Sequence, residues 1–210
     1  MKLEVHVSTL VLAILTSAVT FVVVRRRYTT KLEALERKSQ ELEKRLTMDE
    51  TTGVYSSHVL MDVLARNFLA SRVSGKPFSV ALIDVDDFGR INEEYSYDTG
   101  DKVLKQIAKL LNEYSKNPDQ MVIRFKYGDE FLIISSGMDR CEATAHAEKM
   151  RERIAKMELR VKAGGPFFKL SISIGVTSWM AKDESPSAVL TRAEKALRHA
   201  KSRTNSVAAS

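Results

Sequence analysis

A single cysteine, Cys141, stands in a chain of 210 residues, which excludes an intramolecular disulfide and any zinc site built on several thiolates. A reducing compartment suits such a chain. His58, His146 and His199 are scattered and form no ligand cluster. The sequence has no internal repeat and no low-complexity segment. Trp179 and the phenylalanines lack the aromatic-basic interleaving of an RNA-binding sheet. A formal net charge of +6 raises nucleic acid as a partner, but much of the basic excess sits in Arg25, Arg26, Arg27 and the tail with Lys201 and Arg203. A juxtamembrane cluster explains that charge better, and no nucleic-acid partner is expected.

With 44% hydrophobic residues, the chain is long enough for one domain with a real core plus a non-globular appendage. Val7 to Val24 carry no charge and meet the lower length limit for a helix that crosses a bilayer. Arg25 to Arg27 follow at once, so the positive-inside rule puts residues 1–6 outside and everything after Arg25 in the cytoplasm. A cleaved signal peptide would need charge before the apolar run and a small-residue cleavage site after it; the charge here comes after, and Ala-x-Ala is missing. The expected protein is single-pass in the cytoplasmic membrane. Residues 25–48 read as a basic juxtamembrane segment and helical stalk, with Leu32, Leu35, Leu42 and Leu46 at heptad spacing and Ser39 as the interruption. Fewer than three full heptads leave a coiled coil and a solvated helix equally open.

After Met48, helical and strand patterns alternate. Val59–Ser71, Thr99–Ser115, Glu142–Met157 and Pro186–Ser202 read as helices, and Gly75-Lys76-Pro77 as a turn. Ser79–Asp84 reads as a buried strand ending on a carboxylate, Met121–Lys126 and Phe131–Ser135 as a hairpin, and Phe167–Trp179 as one strand. The expected fold class is α+β, a mainly antiparallel sheet flanked by helices. Two acidic sites stand at strand ends: Asp84 with Asp86 and Asp87, and Asp129 with Glu130. Carboxylates from adjacent strand ends suit hard divalent cations and phosphoryl transfer, although either cluster alone reads better as ordinary solvated loop acids.

The blocks Asp84-Val85-Asp86-Asp87-Phe88, Ile91-Asn92, Gly100-Asp101-Lys102-Val103-Leu104, Gly128-Asp129-Glu130-Phe131, Ser173-Ile174-Gly175-Val176 and Ala200-Lys201 follow one another in an order that resembles the GGDEF family of diguanylate cyclases. The opening Asp49-Glu50-Thr51-Thr52-Gly53-Val54 resembles the turn that starts such domains. The resemblance covers residues 49–205 and leaves 206–210 as a tail. It implies condensation of two GTP into cyclic di-GMP across a homodimer, with Mg²⁺ or Mn²⁺ as cofactor. Asp84, the carbonyl of Val85, Asp129 and Glu130 would hold the metal, with Asp129 and Glu130 as the catalytic pair. Backbone amides around Asp87 and Phe88, with Gly128, would cradle phosphate, and Lys201 would pair with it, aided by Arg203. Asn92 and Asp101 would read the guanine edge, because a carboxylate accepts paired hydrogen bonds from guanine N1–H and its 2-amino group. Read from local pattern alone, Asn92 and Asp101 are equally helix caps, and Lys201 a solvated cation.

The chain departs from the family at several points. Lys126-Tyr127 precedes Gly128 where the family has a glycine, Gly89 stands where it has a phosphate-binding Lys, Tyr97 where it has His, and Asn205 where it has a terminal Arg. The family's product-binding Arg-x-x-Asp is absent, its nearest match being Lys116-Asn117-Pro118-Asp119, so no inhibitory site is expected. An active cyclase is the first reading. The alternative is a degenerate, inactive domain that binds GTP or serves as a dimerisation and signalling module.

Overall fold

The computed structural model describes residues 21–22, 24–39, 47–126, 128–160 and 167–210. It divides into an N-terminal unit up to Arg45 and a second unit from Leu46 to Ser210. In the first, residues 24–39 are helical and Tyr28, Leu32 and Leu35 are exposed. Most of the expected span at 7–24 lies outside the described residues. Among the described residues, no helix is long and apolar enough to cross a membrane.

The second unit is built on a five-stranded sheet in the order β2-β3-β1-β6-β7. Its strands are β1 (Phe78–Val85), β2 (Gln120–Arg124), β3 (Glu130–Ser136), β6 (Ile172–Ser178) and β7 (Val207–Ala209). All neighbours are antiparallel except β6 and β7. A separate two-stranded sheet pairs β4 (Glu158–Arg160) with β5 (Phe167–Lys169). The helices are α1 (Leu60–Ser74), α2 (Phe88–Tyr95), α3 (Tyr97–Tyr114), α4 (Arg140–Ala155) and α5 (Pro186–Lys201).

β1 is buried along its whole length because both faces of the sheet are covered. Successive side chains alternate faces, so Ala81, Ile83 and Val85 join the core under α3 and α4, while Val80 and Leu82 join the core under α1 and α5. Continuing that alternation puts Asp84 on the α5 side. α5 is fixed at its start by the Ser185 cap and Pro186, and along its length by Gly175. A Cβ at Gly175 would lie 2.1 Å from the Leu197 amide nitrogen, so only glycine lets the α5 backbone approach β6 this closely.

Three elements differ from the sequence reading. α2 (Phe88–Tyr95) was not expected as a helix, and Ser96, at φ 133°, separates it from α3 and caps α3 by accepting from the Thr99 amide. The expected strand from Phe167 to Trp179 divides at Leu170 and Ser171 into β5 and β6, which belong to different sheets. Residues 207–209, read as tail, form β7, and the side chain of Thr177 donates to the Ser210 carbonyl.

Candidate active site

The end of β1 meets the start of β3, and the register puts Asp84 directly opposite Glu130. Residues paired in this way share a face, the one covered by α5. Asp84 is buried at 4% exposure, and Lys201, the last residue of α5, donates to its Oδ2 at 2.8 Å. Asp129 sits in the turn just before Glu130, and its carbonyl accepts from the Val85 amide at 3.4 Å. The structure therefore brings together four of the expected residues, Asp84, Asp129, Glu130 and Lys201, from three elements.

Their electrostatics are strained toward cation binding. Burial pushes the Asp84 carboxyl up against the pull of Lys201. Burial and then the charge of Asp84 raise Asp129. The same causes, with Asp129 added, push Glu130 up to about 7. Burial works against the Lys201 charge, but its bond to Asp84 and the field of all three acids raise its pKa. One lysine thus faces three carboxylates, and Glu130 Oε2 is buried without a hydrogen-bond partner. A hard divalent cation fits this donor set, which is all oxygen and has three carboxylates to one lysine. Among the described residues, no group of three or more such side chains is placed to hold an ion by itself.

The loop after β1 is held by Asp86, whose carboxylate accepts from Ser171 Oγ at 2.6 Å, Ser173 Oγ at 2.7 Å and the Asn205 amide at 2.8 Å. Asp87 follows in the left-handed region (φ 55°) with no side-chain cap bond to the first amides of α2, Phe88 and Gly89, while the Arg90 amide donates to the Asp87 carbonyl at 3.0 Å. Asn92 lies within α2 and Asp101 within α3, so neither caps a helix. Asn92 Oδ1 is buried and unpartnered, and a Cβ at Gly100 would stand 1.9 Å from it. Asn92 therefore packs against the residue preceding Asp101, and the two guanine-reading candidates share the α2–α3 corner.

Other residues are placed differently. Gly128 has φ 87° in the hairpin turn, while Tyr127 lies outside the described residues. Arg203 lies just beyond α5, is exposed, and makes no ion pair with a described residue. Asn205 Oδ1 accepts from Arg151 at 3.0 Å. Sequence reasoning missed Arg124. Its Nε and Nη2 donate to the Gly128 carbonyl at 3.1 and 2.7 Å, and its Nη1 to Asp49 Oδ1 at 2.9 Å. Asp49 also accepts from the Thr52 amide and hydroxyl, so the opening turn and the acidic hairpin are clamped together. The only advance signal was Asp49 itself, because nothing local ties residue 49 to residue 124.

A family model described as "Diguanylate cyclase, GGDEF domain" matches residues 46–206. The response regulator PleD of Caulobacter vibrioides is 30% identical over 178 residues, which cover 84% of this chain and 38% of PleD. Diguanylate cyclase DosC of Escherichia coli K12 is 33% identical over 129 residues, 61% of this chain and 27% of DosC. The chain thus spans well under half the length of either relative. The structure of the active GGEEF domain of a diguanylate cyclase from Vibrio cholerae is similar with a TM-score of 0.65 at 26% identity, covering 71% of this chain and 93% of that one. The coiled coil and GGDEF domain of DgcB from Caulobacter crescentus, in complex with c-di-GMP, shares the fold with a TM-score of 0.82 at 21% identity, covering 87% and 95%.

Proposed function

The chain belongs to the GGDEF domain family of diguanylate cyclases, and from that premise we propose that it condenses two molecules of GTP into cyclic di-GMP across a homodimer. The observation that carries this reading is the pairing of Asp84 with Glu130 beside Asp129, three buried or half-buried acids served by one lysine. A bound Mg²⁺ or Mn²⁺ would supply Lewis-acid stabilisation of the developing charge and lower the pKa of the attacking hydroxyl.

The residues then divide the work. Asp84, the Val85 carbonyl, Asp129 and Glu130 hold the metal site at the strand ends. The amides of Asp87 and Phe88, with Gly128 and Lys201, orient the triphosphate, and Arg203 adds charge nearby. Asn92 and Asp101 hold guanine, the carboxylate accepting from N1–H and the 2-amino group that adenine does not present. With two loaded domains face to face, each 3′-oxygen forms a bond to the α-phosphorus held by the partner. The bond from that phosphorus to the β-phosphate oxygen breaks, pyrophosphate leaves, and the hydroxyl proton passes to solvent.

A second reading, a non-catalytic GTP-binding or dimerisation module, is favoured by one observation: Asn205 is tied to Arg151, so this position offers phosphate no cation. Incubating the purified full chain with Mg²⁺ and GTP, and separately with ATP, distinguishes the two by product and base choice. Anchoring of the domain to the cytoplasmic membrane through residues 7–24 is part of the proposal. It rests on the uncharged run and the three arginines after it. Carbonate-resistant fractionation with membranes supports it, and release into the soluble fraction opposes it.

A further inference from the structure

A cavity of about 280 Å³ opens between the last turns of α5 and the β2–β3 hairpin, lined among others by Lys126, Glu130, Glu194, Arg198 and Lys201. A water takes about 30 Å³ of liquid, so the space suits a larger ligand. Glu130 and Lys201 are also members of the candidate active site, so the cavity opens directly off it. Its charges are unevenly matched. Lys126 pairs with Glu194 at 3.2 Å and Lys201 with Asp84 at 2.8 Å, whereas Arg198 makes no ion pair with a described residue. Lys126 also lies over the Phe125 ring, 4.8 Å from its centroid, which keeps its ammonium at the cavity wall. The negative end of the α5 dipole favours Arg198 and Lys201 in the last turn. It does not account for a cavity that collects a third cation from the hairpin.

We propose that this cavity is a subsite for the terminal phosphates of a nucleoside triphosphate, gripped by Arg198 with Lys126 as the second cation. A guanidinium presents a planar fork that matches two phosphate oxygens, and an unpaired one has most to gain from them. Other positions near the site leave this work undone: Gly89 has no side chain, and Asn205 is engaged by Arg151. The subsite makes the number of phosphates, rather than the base alone, a determinant of affinity. The inference rests on the GTP reading above.

The test is calorimetric titration of the full chain in Mg²⁺ with GTP, ATP, GMP and pyrophosphate. Arg198→Ala is expected to weaken GTP and pyrophosphate about tenfold or more and Lys126→Ala several-fold, with GMP unchanged and Arg198→Lys recovering part of the loss. Arg198 is exposed, so the melting temperature should stay within a degree or two of the parent. GTP and pyrophosphate binding that neither alanine variant weakens would overturn the subsite and leave the GTP reading standing. Pyrophosphate binding that depends on Arg198, with no preference for GTP over ATP, would keep the subsite and overturn the guanine reading. Wild-type protein that binds neither GTP nor pyrophosphate would overturn both.

Discussion

Lys201 Nζ stands 2.8 Å from Asp84 Oδ2, a contact made across 117 residues of chain. It joins the end of the last helix to the end of the first strand and brings a cation against a cluster of three acids. That arrangement favours protons or a metal over bare carboxylates, and it sets the first prediction.

Stability without divalent metal should fall as pH rises from about 4.5 to about 7. Glu130 has an ordinary value of 4.5 and is pushed to about 7 in the folded chain, so between those limits the folded state holds more protons than the unfolded one. The slope of unfolding free energy with pH is then negative. Asp84 and Asp129, also raised, act in the same direction. Melting in EDTA across pH 5 to 8 should show the decline, Glu130→Gln should flatten it, Lys201→Ala should steepen it, and Mg²⁺ should reverse it at pH 8. A profile that Glu130→Gln leaves unchanged would remove this explanation.

Gly100→Ala should damage guanine binding. Alanine ordinarily favours a helix over glycine by about 1 kcal/mol, but here its Cβ would overlap Asn92 Oδ1 at 1.9 Å. The clash should dominate, costing about 1–3 kcal/mol of stability and raising KM for GTP about tenfold by displacing Asn92. An unchanged KM would dissociate Asn92 from the base.

Arg124→Ala should lower turnover about tenfold or more while costing about 1–3 kcal/mol of stability, because it frees the Gly128 carbonyl beside Asp129. Asp49→Ala breaks the same clamp from the other side. A double-mutant cycle should therefore give a coupling energy of about 0.5–3 kcal/mol. Additive losses would mean that Arg124 and Asp49 act separately.

Micromolar cyclic di-GMP should not slow the proposed turnover through residues 116–119. Lys116 lacks the guanidinium fork, and both Lys116 and Asp119 are exposed with no ion pair between them. Product inhibition relieved by Lys116→Ala or Asp119→Ala would contradict this.

The parts of the fold that local pattern specifies were legible in the sequence. β1, β3 and α5 announce themselves by buried runs or helical spacing, and the acids at the strand ends, Asp84 and Glu130, stand opposite each other as their positions suggested. What escaped depends on single backbone angles or long-range pairing. The break between α2 and α3 turns on Ser96 at a positive φ, which serine rarely adopts. β7 is Val-Ala-Ala, too short to carry a period, and exists because β6 offers it an edge. Lys201 looked like a solvated cation because its partner is distant in sequence, and Arg124 was overlooked for the same reason.

The central claim is tested most directly by following full-length protein with GTP and Mg²⁺ by chromatography, beside Asp84→Asn and Asp129→Asn. Cyclic di-GMP is expected from the parent and none from either variant, with melting temperatures showing that all three are folded, since each change removes a carboxylate charge and little packing. Undiminished product from either variant would contradict the carboxylate mechanism, and a folded parent that binds GTP yet makes no cyclic di-GMP would contradict the assignment of catalysis.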